Sequence, residues 1–408
     1  MKILLVNKFL YPNGGSETYI FELGKELVRQ GHEVQYFGME HEGRVVGNHA
    51  ESYTSNMDFH SGKLDKLLYP LKIVYSVEAR QKIRKVLDDF SPDVVHLNNI
   101  NFQLTPSIIY EIRAWEKHNH RVKIVFTAHD HQWICPNHLM YIPSTGESCD
   151  RCQYGRFIEC TKHCCIHGSR VKSLIGSIEG YLYKWLKTYK MVDVVICPSE
   201  YLYKRFATNP IYSNKLIMLH NFCMTVNPER LSCEIPDRYV LYVGRYNHEK
   251  GIKSLIYAAK ELPEIDFVCA GSGEYDAEIR SIHNITNLGF VSPGEVRTLL
   301  EGALFTVYPS ICNENCPLGV MESQMYGTPV VGSNIGGIPE LIGSGDRATG
   351  ELFMPGDNEE FVSIIHKLWV DSELLEHYSN NCCRNNWDNV CDYCKKIINI
   401  YKNDFGII

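Results

Sequence analysis

Short, continuous apolar runs alternate with longer amphipathic stretches along most of the chain. KILLVN (Lys2 to Asn7) reads as a strand, GSETYIFELGKELVRQG as a helix closed by Gly31, and EVQYFG and DVVHLNN as strands. VKIVFTAHD, VDVVICPS and KLIMLHNF continue the series. Strands that are apolar throughout, separated by helices, indicate a parallel sheet covered on both faces. The rhythm restarts at YVLYVGR and runs through IDFVCAGSG, ITNLGF, LFTVYPS and TPVVGSN. This predicts an α/β protein of two doubly wound, Rossmann-like domains, broken where CMTVNPERLSCEIPD carries no period. The expected bounds are 1–219, 220–384 and a C-terminal helix at 385–408.

Length agrees, since 408 residues exceed what one core usually fills. A hydrophobic fraction of 44% and a charged fraction of 22% argue against disorder. A net charge of −7 argues against a nucleic-acid partner. The start MKILLVNKF is too short an apolar run for a signal peptide, and no stretch reaches the roughly 18 apolar residues of a membrane helix. A cytoplasmic protein is expected, with its 16 cysteines reduced.

Ligands of open parallel sheets bind outside the carboxyl ends of the strands, so the loops there carry the chemistry. After the first strand, YPNGGSETY sets Gly14 and Gly15 at a helix start, where backbone can approach a ligand. VKIVFTAHD ends on the titratable pair His129 and Asp130. YVLYVG is followed by Arg245 and Lys250, two cations at a strand end. SICNENCPLGVMESQMYGTP then sets Glu314 and Glu322 eight positions apart. Pro317 suits a first helical turn, which puts Glu322 about one turn inside the helix and Glu314 in the loop before it. Free amides and the positive dipole end at such a helix start form a natural phosphate seat.

The ordered set of G-R-x4-K-G, GSGEYDAEI at Gly271, the two glutamates and GGIPELI at Gly336 resembles the retaining glycosyltransferases of family 4, from Met1 to the final helix. That resemblance implies the GT-B fold, two domains facing a central cleft with the C-terminal helix crossing back to the first. It implies that Arg245 and Lys250 neutralise a donor diphosphate and that Glu322, the second acid of an E-x7-E motif, accepts from the nucleotide ribose. Glu314 would lie by the transferred sugar, and Asn315, Pro317, Leu318 and Gly319 would hold sugar and phosphate through backbone amides. Gly14 and Gly15 would close over the diphosphate, and His129 would contact the sugar. The donor would be a UDP- or GDP-sugar, and the acceptor a saccharide or lipid-linked saccharide in cell-surface polysaccharide or glycolipid synthesis.

The chemistry fits. Cations and helix amides can stabilise a leaving diphosphate, and with no D-x-D motif in the chain a divalent metal is not required. A front-face displacement assisted by the leaving phosphate is what the resemblance implies for retention.

Between Cys135 and Cys165 six cysteines fall within 31 positions. Spacings such as Cys149-x2-Cys152 and Cys160-x3-Cys164 suit a closed structural zinc site, using four of Cys135, Cys149, Cys152, Cys160 and Cys164, with Cys165 or His163 as substitutes. Free thiols in an insertion are the alternative. The helix GSRVKSLIGSIEGYLYKWLKTYK mixes cations with Tyr and Trp, as a peripheral membrane helix does, although a helix leading into a buried strand is expected to spend its aromatics on the core. Two other functions fit less of the sequence: a GT-B epimerase or phosphorylase, and a zinc-organised binding module without catalysis.

Overall fold

The computed structural model describes residues 1–56 and 72–403. These separate into two compact units, Met1–Asn221 together with Val390–Ile408, and Phe222–Asn389. Residues 404–408, which the sequence assigns to the end of the last helix, lie outside the described residues.

The first unit holds strands β1 (Lys2–Val6), β2 (Glu33–Phe37), β3 (Val94–Leu97), β4 (Lys123–Thr127), a hairpin of β5 (Tyr141–Ile142) and β6 (Glu147–Ser148), β7 (Val194–Cys197) and β8 (Leu216–Met218). Apart from the hairpin they form one sheet in the order β2-β1-β3-β4-β7-β8. All its ladders are parallel, with Ile3 opposite both Val34 and Val94. Leu4, Val6, Val95, Leu97, Ile124 and Phe126 are buried, as strands covered on both faces require.

The second unit repeats the scheme with β9 (Val240–Val243), β10 (Phe267–Ala270), β11 (Ile285–Gly289), β12 (Phe305–Tyr308), β13 (Val330–Ser333) and β14 (Gly350–Phe353), ordered β11-β10-β9-β12-β13-β14 and again all parallel. Local chemistry fixes the helix starts. Ser292 and Glu295 form a reciprocal capping box with Pro293 at the first turn of helix Pro293–Gly302.

In each sheet the chain reverses its winding once, between β1 and β3 and between β9 and β12. Those reversals open crevices at the carboxyl ends of the strands. The C-terminal helix Val390–Lys402 packs on helix Gly15–Arg29 of the first unit. Its Tyr393 and Tyr401 hydroxyls meet Tyr19 at 3.0 Å and His96 at 2.6 Å inside the core.

Candidate functional site

The crevice between β9 and β12 is built by two loops pressed together. The loop after β9 ends in a turn at His248–Lys250 that Asn247 caps by accepting from the Lys250 amide at 3.1 Å. Gly251 follows at φ +70, and a Cβ there would lie 1.6 Å from the Pro309 carbonyl oxygen, so only glycine lets this loop lie against the one after β12. Glu249 O in turn accepts from Ile311 N at 3.0 Å.

This contact brings Lys250 Nζ to Glu314 Oε1 at 2.6 Å, and Ser310 Oγ donates to the same oxygen at 2.9 Å. Gly337 N donates to the Glu314 carbonyl at 2.8 Å, and a Cβ on Gly336 would stand 2.2 Å from that carbonyl. The GGIPELI glycines therefore hold the Glu314 loop in place from behind. Burial pushes the Glu314 carboxyl up, but the Lys250 charge, the hydrogen bonds from Lys250 and Ser310 and the more distant Arg245 outweigh it and hold the group below its usual value.

Pro317 is the cap residue of helix Leu318–Met325 rather than a member of its first turn, with ψ of 112. Glu322 lies one turn inside, and burial without a compensating charge pushes its carboxyl up. Lys250, Ser310, Glu314, Pro317, Gly319 and Glu322 share one cavity of about 250 Å³. Gly319 is where backbone must come close, since an added Cβ would lie 2.1 Å from the Tyr308 hydroxyl. Arg245 is exposed at the edge, with no acidic partner among the described residues, and Asn315 is half-buried beside Glu314. The cavity thus offers a carboxylate already paired with an ammonium, a second acid held toward its neutral form, and a helix start.

The first unit has its own crevice, between β1 and β3. Gly14 caps helix Gly15–Arg29 in extended conformation, and an added Cβ there would meet only Glu17 Oε2, at 3.5 Å. The fold itself therefore does not demand glycine at that position. His129 Nε2 pairs with Asn98 Oδ1 at 2.9 Å, and its ring stands edge-on to Tyr19 at 4.8 Å between centroids. Burial lowers the His129 pKa to about 4 against the opposing pull of Asp130, so the imidazole is neutral at pH 7. Asp130 is held down to about 2, because His138, the Gln132 amide and His131 together exceed the upward push of burial.

The cysteine segment is a small unit of its own, with the β5/β6 hairpin, helix Ile158–Lys162 and a cluster of Cys152, Cys160, Cys165, Phe157 and Ile142. Cys135, Cys149, Cys152, Cys160 and Cys165 line one pocket of about 10 Å³. Cys135 pairs with Cys152 and Cys160 with Cys165 through side-chain hydrogen bonds. Cys164 does not join them. It sits at φ +50 with its sulfur 3.8 Å from the Thr161 carbonyl, so Cys165 takes the place the spacing gave to Cys164. Among the described residues no group of three or more His, Cys, Asp or Glu side chains stands at metal-binding spacing, so the closed four-thiolate set expected from the sequence is not formed.

Sequence reasoning found Lys250, Glu314, Glu322 and His129 but missed Ser310 and Asn98, the residues that orient two of them. Asn98 was visible only as the polar end of DVVHLNN.

Comparison with known proteins bears on the whole chain. The family described as Glycosyltransferase Family 4 matches residues 13–225, and Glycosyl transferases group 1 matches residues 229–383. The uncharacterized glycosyltransferase MJ1607 of Methanocaldococcus jannaschii is 29% identical over 185 residues, 41% of this chain and 45% of that protein. An uncharacterized 42.6 kDa protein in the cps region of Klebsiella pneumoniae is 24% identical over 388 residues, 91% of this chain and 94% of that one. The O-antigen chain mannosyltransferase C of Escherichia coli is 25% identical over 157 residues, 37% of this chain and 42% of its own. Among solved structures, Anabaena Alr3699/HepE in complex with UDP and glucose superposes with a TM-score of 0.62 at 16% identity over 98% of this chain and 99% of that one.

Proposed function

Because the chain belongs to glycosyltransferase family 4 and has the GT-B fold, we propose that it transfers a sugar, with retention, from a UDP- or GDP-sugar to a saccharide or lipid-linked saccharide of the cell surface. The observation that carries this reading is the Lys250–Glu314 pair in the β9/β12 cavity, beside the start of helix Leu318–Met325.

A diphosphate entering that cavity is met by Lys250, by Arg245 from the edge and by the amides of Leu318 and Gly319. Glu322 accepts from the ribose hydroxyls and is drawn toward its ionised form as they bind. Glu314, freed in part from Lys250 when the diphosphate competes for the ammonium, faces the hydroxyls of the sugar, with Asn315 and Pro317 shaping the same loop. The bond from the anomeric carbon to the diphosphate oxygen breaks as the acceptor oxygen bonds that carbon from the same face. The acceptor proton passes to the leaving phosphate oxygen. Lys250 and Arg245 supply the charge stabilisation otherwise provided by a divalent ion, so transfer is read as metal-independent, and the transferred sugar as a hexose. Neutral His129, held by Asn98, donates or accepts one hydrogen bond at the sugar, and Gly14 and Gly15 leave room for the diphosphate at the first unit. A bound UDP in the similar HepE structure and the O-antigen chain in the name of one relative support the donor and acceptor classes.

The cysteine pocket is read as the seat of a structural zinc held by Cys135, Cys152, Cys160 and Cys165. Five thiols lining one small pocket support this, and their side chains would have to draw closer than they stand here for a tetrahedral site to close on a metal. The domain division at about residues 220 and 385 is part of the same reading. The test is a panel of UDP- and GDP-sugars with and without a lipid-linked saccharide. Acceptor-dependent release of nucleoside diphosphate, with the donor's anomeric configuration kept in the product, supports transfer. Conversion of the donor without acceptor would indicate an epimerase instead.

A further inference from the structure

Helix Arg170–Trp185 is built inside out. Its buried face carries small residues: Ser173 and Ser177 are buried, Ser177 Oγ donates to the Phe157 carbonyl at 2.6 Å, and a Cβ on Gly176 or Gly180 would run into Ile166 or Phe157 at 2.7 and 2.6 Å. That face lets the helix settle closely on the cysteine segment. Apart from buried Tyr183, most of the large apolar residues point the other way. Val171, Leu174, Ile178, Tyr181 and Trp185 recur at steps of three and four, which puts them on one side of the helix, and they are 69%, 44%, 50%, 38% and 78% exposed. Tyr154 and Ile158 extend the patch at 59% and 40% exposed, joined to it where the Ile158 amide donates to Tyr181 Oη at 3.2 Å. Scattered exposed apolar residues need no explanation, but a contiguous row of this length does.

Charge selects what covers it. Arg170, Lys172, Lys187 and Lys190 are exposed on the helix or the turn after it, in a chain whose net charge is −7, while the Lys184 ammonium is held by the Tyr154 and Gly155 carbonyls at 3.2 and 3.1 Å. The one acid of the stretch, Glu179, lines an internal cavity with Gln132, Trp133 and His138 instead of the outer face. An apolar row bearing an exposed Trp and Tyr and flanked by cations matches the boundary of a lipid bilayer with acidic headgroups, where aromatics sit among the headgroups and the cations meet phosphate. A protein partner would have to supply a matching acidic rim.

We propose that the outward face of helix Arg170–Trp185, with Tyr154 and Ile158, docks the protein on an anionic phospholipid surface. Val171, Leu174, Ile178 and Trp185 enter the acyl boundary, and the lysines stay at headgroup level. The contact goes beyond the transfer reaction and does not depend on which donor is used; it would bring a lipid-linked acceptor to the first unit.

The test is co-sedimentation of the full chain with vesicles of phosphatidylcholine alone and of phosphatidylcholine with phosphatidylglycerol. Binding should be at least about tenfold tighter to the acidic vesicles and weaken with salt, as several screened cation contacts require. Leu174→Ser/Ile178→Ser/Trp185→Ser should lose that binding by about tenfold or more while the chain stays folded and its nucleoside diphosphate binding stays as in the native chain, because all three side chains are exposed and none is part of the core. Brominated lipid should quench native tryptophan fluorescence, and Trp185→Phe should remove most of the quenching without relying on the triple variant. Absence of binding to acidic vesicles, equal binding by the triple variant, or a dimer that the Trp185→Phe substitution dissociates would overturn the proposal. A loss of transfer with vesicle binding intact would bear on the function and leave the docking face standing.

Discussion

Lys250 Nζ donates to Glu314 Oε1 at 2.6 Å across the point where the second sheet reverses its winding. The two residues are 64 positions apart, and both side chains are largely enclosed, at 30% and 14% exposed. A half-buried ion pair in a cavity open to a ligand is a poised arrangement, because each partner keeps the other charged until something replaces it.

Lys250→Ala is therefore expected to act twice, removing a diphosphate contact and leaving Glu314 without its partner. Donor affinity should fall by about 2 to 4 kcal/mol while the protein stays folded. Glu314→Gln should leave nucleoside diphosphate affinity within about 1 kcal/mol of native, and turnover should drop strongly. The double variant should cost less than the sum of the singles, as coupled partners do. Strictly additive losses in titration calorimetry and steady-state kinetics would show that the two residues act independently and that the pair is not a coupled unit.

Glu322 lies in the same cavity with its pKa raised by burial. If it accepts from ribose as a carboxylate, nucleoside diphosphate affinity should weaken as pH falls through that raised value, because the protonated form has lost the charge that makes it a strong acceptor. Glu322→Gln should weaken binding at neutral pH and flatten this dependence. A variant whose affinity keeps the native pH profile would place the titrating group elsewhere.

His129 and His131 are buried with pKa values lowered to about 4, and His96 to about 3, from an ordinary 6.5. The unfolded chain binds more protons at these sites than the folded one between those values, so stability rises with pH across that window. It should be fully present above about pH 6.5 and be lost as pH falls toward 4, by on the order of 3 kcal/mol for His129 alone. Asp130, held near 2, opposes nothing here, because its contribution is lost only at lower pH. Melting temperatures that stay level between pH 7 and pH 5 would contradict buried neutral imidazoles.

The fold was largely legible because most of its strands are short apolar runs bounded by turn residues, such as KILLV and VVIC, and alternate with longer amphipathic helices. The exceptions are the two-residue strands of the β5/β6 hairpin and β14, Gly350–Phe353, where the only apolar residues between GSGDRATG and PGD are Leu352, Phe353 and Met354, too few to register as a run. The residue types of the site were legible and their pairings were not. Nothing local in the sequence says that Lys250 meets Glu314, that Asn98 holds His129 from 31 positions away, or that Cys165 rather than Cys164 turns to the thiol pocket. Helix Arg170–Trp185 shows the same limit. Its periodicity was plain, but the expectation that its aromatics serve the core holds for buried Tyr183 and fails for Trp185, because the helix meets a close-fitting neighbour with its glycines and serines.

For the cysteine pocket, protein purified without chelator should carry about one zinc per chain, and Cys152→Ser/Cys160→Ser, which takes one thiol from each pair, should lose it. Chelation should lower the unfolding temperature of the first unit and leave nucleoside diphosphate binding in the second unchanged. Native protein free of zinc and iron by elemental analysis, with a fully active double variant, would leave the cysteines as packed thiols.

The central claim, that the β9/β12 cavity binds a nucleotide-sugar diphosphate through Lys250, is tested most directly by titrating UDP and GDP into the native chain and into Lys250→Ala by calorimetry, without added metal. One of the two nucleotides should bind the native chain at one site, and the variant should bind it about 30-fold to 1000-fold more weakly, the range corresponding to 2 to 4 kcal/mol. No binding of either nucleotide to the native chain, or equal affinity in the variant, would contradict the account.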